Sequence, residues 1–153
     1  MVLSLDFVDG RYKLEYLGRT IVIGLYLCNR LHEALEEELV GLGISGRTSI
    51  IPAGCIESPA AALQGAIHVA LFGTLGIRNP GLALASMALG EWRLERLVEI
   101  LKECYVNSEK HYVVTLDDYK PPENMCRPVA PGELFEGSFT GLVKNVLLLL
   151  ERA

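Results

Sequence analysis

The residues best equipped for chemistry lie in a few short stretches. Asp117 and Asp118 follow an apolar, β-rich run at His111–Leu116, where carboxylates at a strand end can hold Mg²⁺. Neighbouring residues of an extended chain point opposite ways, however, and no phosphate-binding loop accompanies the pair, so a polar turn is the simpler reading. GLGISG, Gly41 to Gly46, matches the dinucleotide spacing G-x-G-x-x-G. That motif must follow a strand and open a helix so that the pyrophosphate meets the helix N-terminus, whereas here it follows a helical pattern and leads into a strand. It is read as a glycine-rich helix stop. HEALEE, His32 to Glu37, begins like a zinc-protease helix, but position 36 is Glu where the second imidazole would stand. No Ser sits in G-x-S-x-G, and His32, His68 and His111 have no evident Ser or Cys partner. Carboxylate pairs lie on wet faces, where nothing would tune them as acid and base. The expectation is a chain that is not an enzyme, with no cofactor and no metal. The alternative is a small intracellular enzyme with an acid/base or metal site near Asp117/Asp118, or using His68.

Bulk properties narrow the classes further. The 153 residues make one ordinary domain over 1–153, able to bury a core without metals or cross-links. Half of them are hydrophobic and 22% charged, which suggests apolar surface reserved for a partner. A net charge of −5 argues against holding nucleic acid by phosphate neutralisation alone, so any such contact is local. Cys28, Cys55, Cys104 and Cys126 form no C-x-x-C pair, which points away from zinc or a redox dithiol and toward buried free thiols. The start, MVLSLDFVDGRYK, carries Asp6 and Asp9 and no basic residue before its first apolar run. A cytoplasmic location is expected.

The elements that would position these residues follow from periodicity. Tyr12–Leu17 and Thr20–Leu27 read as a hairpin around Gly18-Arg19. Asn29 can cap a helix carrying Leu31, Leu35 and Leu39, stopped by Gly41 and Gly43. Thr48–Ala53 is a short strand, and Ser58-Pro59 opens a helix that runs to about Gly73. A second helix runs from Pro80 or Gly81 to Leu89, and both are apolar nearly all round. Arg93–Cys104 is amphipathic, with Leu94, Leu97, Val98 and Leu101 on one side. His111–Leu116 is a strand, Lys120–Pro131 a proline-rich loop, and a helix from about Glu133 closes the chain.

Ser58–Gly90 carries a single formal charge, Arg78, and Ser58–Ile77 is long enough to span a bilayer. Its Gln64, His68 and Thr74, its glycines and alanines, and the absence of an aromatic belt or basic cluster argue instead for a central packed helix. Ala61, Ala62, Gly65 and Ala66 would let neighbours approach closely. Gln64 and His68, one turn apart, share a face, and a histidine satisfied by that glutamine is the expected arrangement.

The stretch GCIESPAAALQGAIHVALFGTLGIRNPGLALASMALGEWRLERLVEILK, followed by HYVVTLDD and a closing GLVKNVLLLLERA, resembles the small kinase-binding subunit of the KEOPS tRNA-modification complex, the TPRKB-type family. Order and spacing agree over about 50–118 and again at 141–153. Two departures are visible: Leu82-Ala83-Leu84-Ala85 stands where the family often carries a Glu, and Arg78 stands alone in a turn where relatives frequently have several cations.

The resemblance implies an α+β domain, a mixed and mostly antiparallel sheet flanked by helices. It implies a non-catalytic role: binding the small atypical kinase/ATPase of KEOPS, meeting other KEOPS subunits indirectly, and helping to recruit tRNA by its single-stranded 3′ CCA end for threonylcarbamoyladenosine synthesis. A small pocket can hold such an end without a broad basic face. Val143, Val146, Leu147 and Leu150 are the candidates for the kinase contact, because a run of leucines cannot all face one core; ordinary burial is the other reading. Arg47, His68, Arg78 and Asn79 are the candidates for the tRNA end, with Arg78 and Asn79 at the family's basic turn.

Overall fold

The structure is a computed structural model that describes residues 4–29, 44–56, 59–73 and 77–134. It is α+β, as the resemblance implies. The chain opens with β1 (Ser4–Val8), β2 (Arg11–Tyr16) and the long β3 (Arg19–Asn29). Next come β4 (Ile44–Ser45) and β5 (Thr48–Pro52), a 3₁₀ turn at Ala53–Cys55, and the helices α1 (Pro59–Phe72), α2 (Pro80–Leu89) and α3 (Leu94–Asn107). β6 (Lys110–Thr115), β7 (Cys126–Pro128) and a 3₁₀ turn at Pro131–Glu133 complete the described elements. The sheet runs β1-β2-β3-β6-β5-β4, with β7 on β3, and every one of these pairings is antiparallel.

The first hairpin follows an Asp9-Gly10 turn, both residues at positive φ, a strong short-range hairpin signal. The second pairs Tyr16 with Arg19, so its turn is Leu17-Gly18, one residue earlier than the sequence pattern suggests. Gly at the second central position supplies the positive φ that such a turn needs, and Leu17 is carried along at φ 51°.

Alternation along the central strands gives the sheet two faces. Leu25, Val114, Leu116 and Ile51 point to the side packed by α1 and α2, where Leu63, Ile67 and Leu84 are buried. Tyr26, Cys28, Ile50 and Val113 point to the other, against Tyr119 and Met125. The apolar helices are thus covered by the sheet and by each other. At Gly65 an added Cβ would lie 2.9 Å from Met87 Cβ, so α1 and α2 approach through the small residues that the sequence places there. α3 keeps a wet outer face and buries Leu97 and Leu101 against Ala85, Leu82 and Leu89. No helix among the described residues is long and apolar enough to cross a membrane.

The proline-rich stretch holds more order than expected. β7 lies inside it, fixed by Asn29 N–H to Met125 carbonyl (2.9 Å) and Val129 N–H to Leu25 carbonyl (2.9 Å). The Tyr12 hydroxyl donates to the Val129 carbonyl at 2.6 Å. Burial, with the Glu133 charge second, pushes its pKa up and keeps it a donor. The cysteines overturn the free-thiol expectation: Cys28 is bonded to Cys126 and Cys55 to Cys104. The first pair stands directly opposite in the β3–β7 ladder, a juxtaposition that a separation of 98 residues hides from any local reading. The expected helix at 31–39 and the closing helix beyond Leu134 fall outside the described residues.

Candidate functional site

At one corner of the sheet, backbone turns bring together residues far apart in sequence. Gly46-Arg47 forms the two-residue turn between β4 and β5. Asn79 is the N-cap of α2: its Oδ1 accepts the Gly81 N–H at 2.9 Å, and Pro80 follows at the first helical position. The same Gly81 N–H also reaches the Gly46 carbonyl at 2.7 Å, which fastens the start of α2 to the turn carrying Arg47. Arg47 is then tied to the end of β6 twice, by its carbonyl accepting the Leu116 N–H (3.0 Å) and by Nη2 donating to the Leu116 carbonyl (3.4 Å). Arg78, exposed, directly precedes the cap.

Asp117 closes this corner from below. The Thr48 hydroxyl donates to the Thr115 hydroxyl (3.0 Å), which donates to Asp117 Oδ1 (2.6 Å), and the Tyr119 N–H reaches the same oxygen at 2.8 Å. Thr48 and Thr115 are buried, so the carboxylate ends a chain of hydroxyls that would otherwise lack an acceptor. Arg11, nearly buried, donates to the Asp117 carbonyl and pairs with the exposed Asp118 at 3.5 Å. Burial alone would raise the Asp117 pKa; Thr115, the Tyr119 N–H, Arg47 and Arg11 outweigh it and hold the carboxyl below the usual aspartate value. Room for this network comes from Gly24, opposite Thr115 in β3. A Cβ there would lie 2.6 Å from Thr115 Cγ2 and 2.7 Å from the Tyr26 ring.

The chemistry of Asp117 is that of a lock. Its carboxylate is ionised and already serves two donors, the Thr115 hydroxyl and the Tyr119 N–H, which suits it to fixing the turn after β6 rather than to moving protons. Among the described residues no three His, Cys, Asp or Glu side chains gather as a metal-ligand group. GLGISG resolves, in its described part, into β4 and the turn at Gly46, with no helix opening behind it.

His68 does not join the corner. It lies in the last turns of α1, about one turn before the helix end, its ring tilted against Phe72 at 5.3 Å. Its Nδ1 is buried with no hydrogen-bond partner, so the expected bond from Gln64 is not made at that atom. Of the tRNA candidates, Arg47, Arg78 and Asn79 are thus brought together and His68 is set apart. Val143, Val146, Leu147 and Leu150 lie outside the described residues. Sequence reasoning missed Arg11, Thr48 and Thr115, whose only local signals are an Asp-Gly turn before Arg11 and β-favouring threonines. A cleft of about 300 Å³ opens at the opposite end of β6, between Asn29, Lys110, Asn124 and Arg127.

No family model matches this chain, and comparison with curated proteins and with solved structures likewise returns no match.

Proposed function

We propose that this protein is the kinase-binding, tRNA-recruiting subunit of a KEOPS-type complex, working without a catalytic site of its own in the cytoplasm. The observation that carries the reading is the corner itself. The turns that carry Arg47 and Arg78-Asn79, of which only Arg78 and Asn79 stand at the family's basic turn, are fastened together because the Gly81 N–H bonds both the Asn79 side chain and Gly46. Arg47 and Arg78 are exposed there, above a buried polar base that fixes the backbone beneath them. Two exposed cations, Arg47 and Arg78, suit a single-stranded end, which offers splayed bases and few phosphates, better than they suit a duplex. The α+β sheet with small-residue helices packed on one face agrees with the architecture the resemblance implies. Two disulfides are the exception in a cytoplasmic protein, where thiols are kept reduced.

The reading is tested by binding of the full chain to tRNA and to the same tRNA lacking its CCA end, at low salt. Clear preference for the intact tRNA supports it; equal affinity, or none, contradicts it. The kinase half is tested by co-purification with a small atypical kinase of KEOPS. Val146→Glu or Leu150→Glu should abolish the association in a chain that stays folded, and undiminished association clears those residues of the role.

A further inference from the structure

The two disulfides sit in different surroundings. Cys28–Cys126 joins the paired strands β3 and β7; Cys28 is fully buried and Cys126 is 9% exposed. Cys55–Cys104 joins the 3₁₀ turn after β5 to the last turn of α3, and both of its residues are only half-buried. Exchange requires a thiolate to reach a sulfur in line, so access decides which bond opens first.

What the second bond holds is also local. α3 is anchored one turn earlier by Leu97 and Leu101, in a small cluster with Ala85 that is separate from the main core. Beyond Leu101, the ties include the disulfide, the Gly54 N–H donated to Ser108 Oγ (3.2 Å), and the Tyr105 ring stacked on His111 at 4.6 Å and 3°. His111 is fully buried in β6, in register with Cys28 on one side and Pro52 on the other. Cutting Cys55–Cys104 therefore loosens the end of α3 over His111 and leaves the sheet closed.

We infer that Cys55–Cys104 is a thiol-exchange site, opened by a thiol reductant while Cys28–Cys126 stays oxidised, and that its opening frees the last turn of α3. A reductant thiolate attacks one sulfur of the pair, forming a mixed disulfide and releasing the other as a thiolate that takes a proton. A second thiol completes the reductant's own disulfide and leaves Cys55 and Cys104 as thiols. Two electrons and two protons pass to the protein. The inference is independent of any tRNA or kinase role.

The test is graded reduction of the folded full chain, by reduced glutathione in one arm and a thioredoxin-type protein dithiol in the other, with alkylation and mass spectrometry at each step. The expected result is labelling of Cys55 and Cys104 at least about tenfold faster than of Cys28 and Cys126. The near-ultraviolet signal of the tyrosines should change while the far-ultraviolet spectrum is kept, and the arm that labels identifies the kind of reductant. A Cys55→Ser/Cys104→Ser double variant should fold and show no such response to either reductant. The inference is overturned if Cys126 labels as fast as Cys104, which would make the cleft beside Lys110 and Arg127 the route of attack. Loss of the far-ultraviolet signal together with the first labelling, labelling of all four without reductant, or no labelling in either arm would overturn it equally.

Discussion

The two ends of β6 handle buried polar groups in opposite ways. At its C-terminal end, Thr115 passes a hydrogen bond from Thr48 to Asp117, and the charge is balanced by the exposed Arg47 and the nearly buried Arg11. At its N-terminal end, His111 is stacked on Tyr105, the residue after Cys104, and stands in register with Cys28. One end is held by ions and hydrogen bonds and leaves Arg47 exposed; the other is held by covalent links and aromatic packing. An end fixed by charge answers to pH and salt and can meet a charged partner. An end fixed by sulfur answers to redox state.

The largest expected effect lies at the covalent end. Replacing Cys28 and Cys126 together by Ala should lower stability by about 5 kcal/mol in urea unfolding, because the bond closes a loop of separation 98. The same change at Cys55 and Cys104, with a separation of 49, should cost about 4 kcal/mol. Losses below about 1 kcal/mol would show that the links do not constrain the chain, and the contrast between the two ends would fail.

At the ionic end, Asp117→Ala should cost about 1–3 kcal/mol, since the Thr115 hydroxyl and the Tyr119 N–H lose their acceptor. Its pH dependence has a definite sign. Because the folded pKa is depressed, the carboxylate's contribution is present above the unfolded pKa and is lost as pH falls through the folded value. Urea midpoints followed downward from neutral pH should therefore fall less steeply for Asp117→Asn than for the parent. Some slope will remain, because Glu133, held down first by the Ala130 N–H, titrates in the same direction. Parallel curves would remove Asp117 from the account. Asn79→Ala should have the smallest effect, about 1 kcal/mol from the lost cap of α2, also read by urea unfolding. No measurable change would mean that Gly46 alone holds that helix start.

Much of the helical layer was legible in the sequence because its signals are local. Asn79-Pro80 and Gly90 bound α2, Pro59 opens α1, and Leu97 and Leu101 of the α3 stripe face inward as the period requires, while Leu94 of the same stripe is exposed. β7 was hidden because proline and polar residues mask it, and its partners, Tyr26 to Cys28, are about a hundred residues away. The disulfides and the Thr48–Thr115–Asp117 chain were hidden for the same reason: they depend on which strands become neighbours, which no local pattern encodes. Arg78 and Asn79 were chosen from a resemblance and Arg47 as a further candidate without one, and only the fold reveals that a shared N–H joins their turns. His68 was misjudged because helical spacing puts it near Gln64 but does not say which way its ring turns.

The central claim is that the Arg47–Arg78 corner receives the end of a tRNA. It is tested most directly by the affinity gained from the CCA end, measured as the ratio of binding to intact and CCA-less tRNA for the parent, Arg47→Glu, Arg78→Glu, and Lys102→Glu on the wet face of α3. The account predicts that this ratio falls about tenfold or more for the two corner variants and is unchanged for Lys102→Glu. A ratio that survives both corner reversals, or falls equally for Lys102→Glu, would contradict it.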